Sequence, residues 1–304
     1  MKIAPKIILF ASCLCLHLKA LSQSPDPVVA RAVYEYIHVL DTNNRSNTFK
    51  EEMLLAIGQN ASVFTSLAKI YQTRSMEKQK EEATKNYTGS DFPVVRYKAG
   101  RYTTPTEVYR FNAQKKVYVK EFLIRDYLYE EPEIAQTWTL SNDTASFHGI
   151  RCQKANAKFK GRSWEVWFAP DIPFQTGPWL LAGLPGLIVE ARDSRDEVFY
   201  HLKGLEKATN SDLSKESLSK NKLVDFTVSK TIQLPEERTQ LNAVKVVRAS
   251  KEEVAKLKQA MMANRSLFRK TQVEASEGII YNVEASAALS LMPIINNPIE
   301  IVKK

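Results

Sequence analysis

The sequence predicts an α+β protein, predominantly antiparallel β: one large curled, half-barrel-like sheet with two main helices. Three observations predict it. Short runs rich in Val, Ile, Tyr, Phe, Trp and Thr recur along the chain between turn residues, as strands do. Helical periodicity is confined to two isolated stretches, unlike the regular strand–helix alternation of a parallel α/β sheet. A sheet with so many strands curls or closes rather than staying flat.

Taken in order, Tyr34–Leu40 reads as the first strand and ends in the turn cluster Asp41-Thr42-Asn43-Asn44. Met53–Gly58 reads as the second. Phe64, Leu67, Ile70 and Tyr71 then recur at helical spacing ahead of a charged run to Lys85, which predicts the first helix. Glu107–Asn112 and Lys116–Ile124 form a hairpin, and strands follow at Ile134–Leu140 and Phe147–Phe159. Within Arg162–Phe168 the alternation places Trp164, Val166 and Phe168 on one face and Ser163, Glu165 and Trp167 on the other. Further strands are expected at Gly186–Arg192, Val198–Leu205, Leu223–Val228 and Ala243–Arg248, with a Ser/Lys-rich loop near 210–221. Ser250-Lys251-Glu252-Glu253 fits a capping box, and Val254, Leu257 and Met261 continue the stripe of the second helix.

The first 22 residues have the build of a secretory signal. Lys2 and Lys6 precede the apolar run Ile7–Leu18, and Ala20-Leu21-Ser22 offers small residues for cleavage before Gln23. That run is too short for a spanning helix, which needs about 20 apolar residues. Cys13 sits in a faint lipoprotein box, but the apolar run continues past it, which argues against a lipid anchor there. Removing residues 1–22 takes three lysines and no acid, so the net charge falls from +9 to +6. It also takes Cys13 and Cys15 and leaves Cys152 alone, so the remaining single domain, 23–304, has no intrachain disulfide. The lysines near 203–230 are interspersed with acids and Ser, and no recognition motif accompanies them; nucleic acid is not expected as a partner.

All four tryptophans (138, 164, 167 and 179) and six of the ten glycines fall between positions 138 and 204. There Gly183-Leu184-Pro185-Gly186-Leu187-Ile188 resembles the name-giving hexapeptide of the GLPGLI family. The resemblance extends to the G-x-x-C-x-K-A stretch Gly149–Ala155, to Gly161-Arg162 before Trp164, to Ile172-Pro173, to Gly177-Pro178-Trp179 and to the closing Asn297-Pro298-Ile299-Glu300. It implies an exported protein of the Gram-negative envelope, in a family with no established activity and no catalytic residues to carry over.

The residues themselves suggest more structure than chemistry. Pro185-Gly186 fits a type II turn, with Gly186 at φ > 0, launching the strand at Leu187. The candidate binding residues are Arg162, Trp167, Asp171, Gln175 and Trp179, on or beside a proline-stiffened loop where aromatic and polar groups mix. Such an edge suits a lipid headgroup, a peptide, a glycan or an outer-membrane protein. His148 and Cys152, read as one strand, would lie about 13 Å apart. His38 and His201 could approach them only through the fold. No metal or cofactor is expected, and no G-x-S-x-G elbow is present. The leading expectation is a non-enzymatic binding or carrier protein for an apolar or amphipathic ligand. The alternatives are an envelope hydrolase using a His/Cys/carboxylate site, or a structural assembly partner.

Overall fold

The computed structural model describes residues 26–85, 87–88, 101–123, 125–132, 135–208, 231–235, 246–264 and 293–301. The expected signal segment, the 210–221 loop and the Leu223–Val228 strand lie outside these residues.

Among the described residues thirteen strands build one unclosed sheet, flanked by two α-helices. The elements are β1 (Asp26–His38), β2 (Phe49–Gly58), β3 (Ala61–Ser66), α1 (Leu67–Lys85), β4 (Thr106–Phe111), β5 (Lys116–Leu123), β6 (Arg125–Glu131), β7 (Thr139–Phe147), β8 (Ile150–Phe159), β9 (Arg162–Ala169), β10 (Leu187–Asp193), β11 (Val198–Lys207), β12 (Thr231–Ile232), β13 (Val247–Arg248) and α2 (Lys251–Ala263). Strand order is β13-β6-β5-β4-β3-β2-β1-β11-β10-β9-β8-β7, with β12 pairing β1. Every pairing is antiparallel except β13 with β6.

The sheet curls hard. Lys160, in the β8–β9 turn, pairs with Glu131 on β6, although eight strand spacings separate β6 from β9. Laid flat, those spacings of about 4.8 Å would put the two some 38 Å apart. The inner face carries the main core: Ala30, Ala32, Tyr34 and Tyr36 of β1 pack with Met53, Leu55, Trp164, Val166, Phe168 and Tyr200. Tyr36 and Tyr200 stack with ring centroids 4.8 Å apart. A cavity of about 40 Å³ lies inside beside Tyr36, Met53 and Tyr200, room for a water and not for an acyl chain.

Each helix covers part of the β1–β6 half. Ser66 caps α1 by accepting the Lys69 N–H at 3.0 Å, and the first turn buries Leu67 against Val33 and Leu54. The capping box of α2 is present, with Ser250 and Glu253 reciprocally bonded. Its Val254 and Met261 pack on Leu123 and Tyr127.

Several expectations need correction. The helix begins at Leu67, because Ala61–Ser66 pairs as β3 between β2 and β4. Residues 147–159 are not one strand: His148 and Gly149, at φ 51° and 81°, form a two-residue turn that joins β7 to β8. Two consecutive positive φ angles mark the type I′ turn, whose twist suits a hairpin. His148 and Cys152 therefore do not share a strand face. No strand covers 135–138, where Gln136 and Trp138 reach toward another loop; β7 starts at Thr139, and β6 went unforeseen. Of Ala243–Arg248 only Val247–Arg248 is described as strand.

Gly186 also departs from expectation. Its N–H donates to the Leu184 carbonyl at 2.8 Å, closing a three-residue turn about Pro185, and the positive φ of the motif falls at Gly183 (86°). Glycine is needed at 186 because an added Cβ would meet the Ala169 carbonyl oxygen at 2.1 Å. The backbone passes too close there for any side chain.

Candidate functional site

The sequence-predicted site residues fall into two environments. Arg162, at the start of β9, has a side chain with no exposure and places every N–H donor: Nη1 on Asp193 (2.6 Å) and Glu197 (3.1 Å), Nη2 on Asn297 (2.7 Å) and the Pro298 carbonyl (2.8 Å), Nε on the Ile299 carbonyl (2.9 Å). It ties the closing Asn297–Glu300 segment under the sheet and leaves no donor for a ligand. Trp179 is buried at φ 52° against Trp164 and Phe159, with centroids 6.0 and 5.8 Å away. The loop that carries it fills the inner face. Arg110 and Gln136 both donate to the Leu180 carbonyl at 3.0 Å, Trp138 donates to that of Ala182 at 2.8 Å, and Tyr34 reaches the Ile188 carbonyl at 2.6 Å. The GLPGLI hexapeptide, residues 183–188, is thus the anchored end of a plug that connects both halves of the sheet.

Trp167 and Asp171 lie elsewhere. Register places Lys154, Trp167, Glu190, His201 and Glu35 in one row across β8, β9, β10, β11 and β1, on the face opposite the core. A parallel row runs Asn156, Glu165, Arg192 and Phe199. Among the described residues neither helix packs on β7–β11, and an open groove of about 550 Å³ crosses this face between Thr139, Asn156, Lys158, Ser163, Glu165 and Arg192. Cations lie over the aromatic rings: Lys154 Nζ is 5.1 Å from the Trp167 centroid, and the Arg192 guanidinium 4.7 Å from that of Phe199. Asp171 is exposed and pairs with Arg151 at 3.5 Å, near the β7–β8 turn. Gln175 is exposed on the loop itself.

That turn also brings together groups the sequence reading kept apart. Phe147 packs on Trp167 (5.6 Å), His148 Nε2 lies 3.2 Å from His201 Nε2, and His201 Nδ1 lies 3.1 Å from Glu190 Oε2. The signal was present: a His-Gly pair between two alternating runs is a hairpin turn, and treating 147–159 as one strand hid it. Cys152 is close to Glu190, and burial, with that carboxylate second, pushes its thiol up to about 11. At neutral pH it is a thiol rather than a nucleophile. His38 is far from this cluster in kind: buried, Nδ1 bonded to the Tyr36 hydroxyl at 2.7 Å, and lowered to about 4 by burial and then by the Arg162 charge. Among the described residues no three His, Cys, Asp or Glu side chains form a metal-ligand set, and no helix is long and apolar enough to cross a membrane.

No family model and no curated protein matches the chain. Among solved structures it is similar to PNGF-II in its P21 crystal form, at 12% identity and a TM-score of 0.45 over 75% of this chain and 32% of that one. The C2 form of PNGF-II gives 11% identity with the same TM-score and coverage. The chain thus spans about a third of the length of PNGF-II, and a likeness of this size bears on neither activity nor ligand.

Proposed function

We propose that this is an exported, non-enzymatic binding protein of the Gram-negative envelope, of the GLPGLI family its central block resembles, which holds a ligand or an outer-membrane partner on the outer face of β7–β11. One observation carries the reading. Among the described residues that face carries a groove lined by Glu165 and Arg192, with Trp167 and Phe199 under Lys154 and Arg192 alongside, whereas Trp179, Leu180, Leu181 and Leu184 of the 170–186 loop fill the core on the inner face. Trp167 and Phe199 are half-buried rings at this face, and Lys154, Arg192 and Glu165 bring charge beside them, a mixture suited to a glycan, a peptide or a lipid headgroup. The small cavity beside Tyr36, Met53 and Tyr200 holds no more than a water, which supports a ligand on the outer face over one taken inside it.

Native mass spectrometry of the protein purified from its own envelope tests this. The parent should carry a bound species or partner that the Trp167→Ala, Arg192→Ala double variant loses. Retention of the same species by the double variant would refute the placement.

The Glu190–His201 pair favours a second reading, a hydrolase in which His201 acts as a base. It has no thiolate beside it, Cys152 being held as a thiol, which weighs against that reading. Hydrolysis of envelope material abolished by His201→Gln would establish it.

A further inference from the structure

The meeting of His148 and His201 goes beyond the binding-face reading and does not depend on it. We propose that these two imidazoles form a site for a divalent transition-metal ion of the zinc type, with Glu190 orienting His201 from behind. Zinc–nitrogen bonds of about 2.0–2.1 Å at a tetrahedral angle separate the two nitrogens by about 3.3–3.4 Å. The Nε2 atoms stand 3.2 Å apart, so an ion can seat between them with a shift of a few tenths of an ångström.

The partner behind His201 fixes its tautomer. The Glu190 carboxylate can only accept, so His201 Nδ1 carries the proton and Nε2 presents its lone pair toward His148. A carboxylate on the distal nitrogen is the usual support of a metal-binding histidine. Without an ion, His148 donates its Nε2–H to that lone pair. When the ion enters, the His148 proton moves to Nδ1 and both Nε2 atoms become ligands, with water filling the remaining positions.

The turn brings His148 to this face. The histidine occupies a left-handed position (φ 51°) of a turn that prefers Asn, Asp or Gly, and Phe147 pins the turn down on Trp167. Glu35, opposite His201 in register on β1, is a carboxylate of the same face; Cys152, buried and held as a thiol, is not a ligand.

Isothermal titration of the full chain with Zn²⁺ tests the proposal, alongside His148→Asn, His201→Gln and Glu190→Gln. Asn suits the turn, so His148→Asn keeps the fold, and matching thermal melts check it. One ion should bind the parent. Each histidine change should weaken binding at least about tenfold, and Glu190→Gln about ten- to a hundredfold, the usual effect of losing such a support. Copper(II) at the same site should give an electron paramagnetic spectrum with two-nitrogen coupling that His148→Asn reduces to one. Zinc affinity unchanged in His148→Asn, or no zinc uptake by the parent, would overturn the site.

Discussion

Strand β8 ends in the same kind of turn at both ends, and the two turns have opposite fates. Lys160-Gly161 and His148-Gly149 are both two-residue loops with consecutive positive φ angles, 52° and 78° against 51° and 81°. Lys160 is folded inward, where it pairs with Glu131 and Glu300, and Lys251 of α2 joins the same carboxylates. An added Cβ on Gly161 would meet the Ile301 carbonyl oxygen at 2.2 Å, whereas one on Gly149 meets nothing within 4 Å. One turn closes the curl; the other lies on the outer face, where its His148 meets His201. Identical local chemistry has been used once for architecture and once, on this account, for recognition. Burial decides which.

Substitutions can break or sharpen that contrast, and the largest effect belongs to the closed side. Arg162→Met should cost about 3–5 kcal/mol in denaturant melts, because it strands the buried Asp193 and Glu197 without their cation.

Acid should act next. His38 takes up no proton in the folded protein until about pH 4, whereas the unfolded chain does so near 6.5, so stability falls as pH drops from 6.5 to 4 and levels off below. A shift of that size corresponds to about 3 kcal/mol. His38→Gln should flatten this stretch of the stability–pH curve. Below it a second loss follows from Glu107: burial raises its pKa, but Lys69 and Lys120 more than offset this and bring it to about 2. The stability it confers is intact above 4.5 and is lost as pH falls toward 2.

The glycines give the direct comparison of the two turns. Gly161→Ala should cost about 2–3 kcal/mol, combining strain with overpacking, and Gly149→Ala only about 1 kcal/mol, from its φ alone. Gly186→Ala, which meets the Ala169 backbone, should behave like Gly161→Ala. Equal costs at Gly149 and Gly161 would erase the distinction. The smallest effect is expected on the open face, where Arg192→Ala should change stability by less than about 0.5 kcal/mol.

Much of the fold was legible because it depends on local signals. The alternation of Arg162–Phe168 sorted core from surface, and the capping box fixed the start of α2. Misreadings arose where an effect was tertiary. The type II turn at Pro185-Gly186 is sound local chemistry, but the close passage of Ala169 imposed a different turn. Arg162 looked like a binding residue because nothing in sequence reveals that Asn297, 135 residues on, folds back to it. The candidate site was half legible: Trp167 and its polar row follow from strand period, whereas the approach of His148 to His201, 53 residues apart, needs the curl of the sheet.

The central claim is that the outer face of β7–β11 does the binding while the inner face holds the fold. Hydroxyl-radical footprinting of the protein with and without detergent-solubilised envelope tests it most directly. The account predicts that Phe147, His148, Trp167, Phe199 and His201 lose reactivity when the extract is present, while Tyr71 and Met76 on exposed α1 stay as they were. Protection confined to α1, with the β7–β11 face as reactive as before, would contradict it.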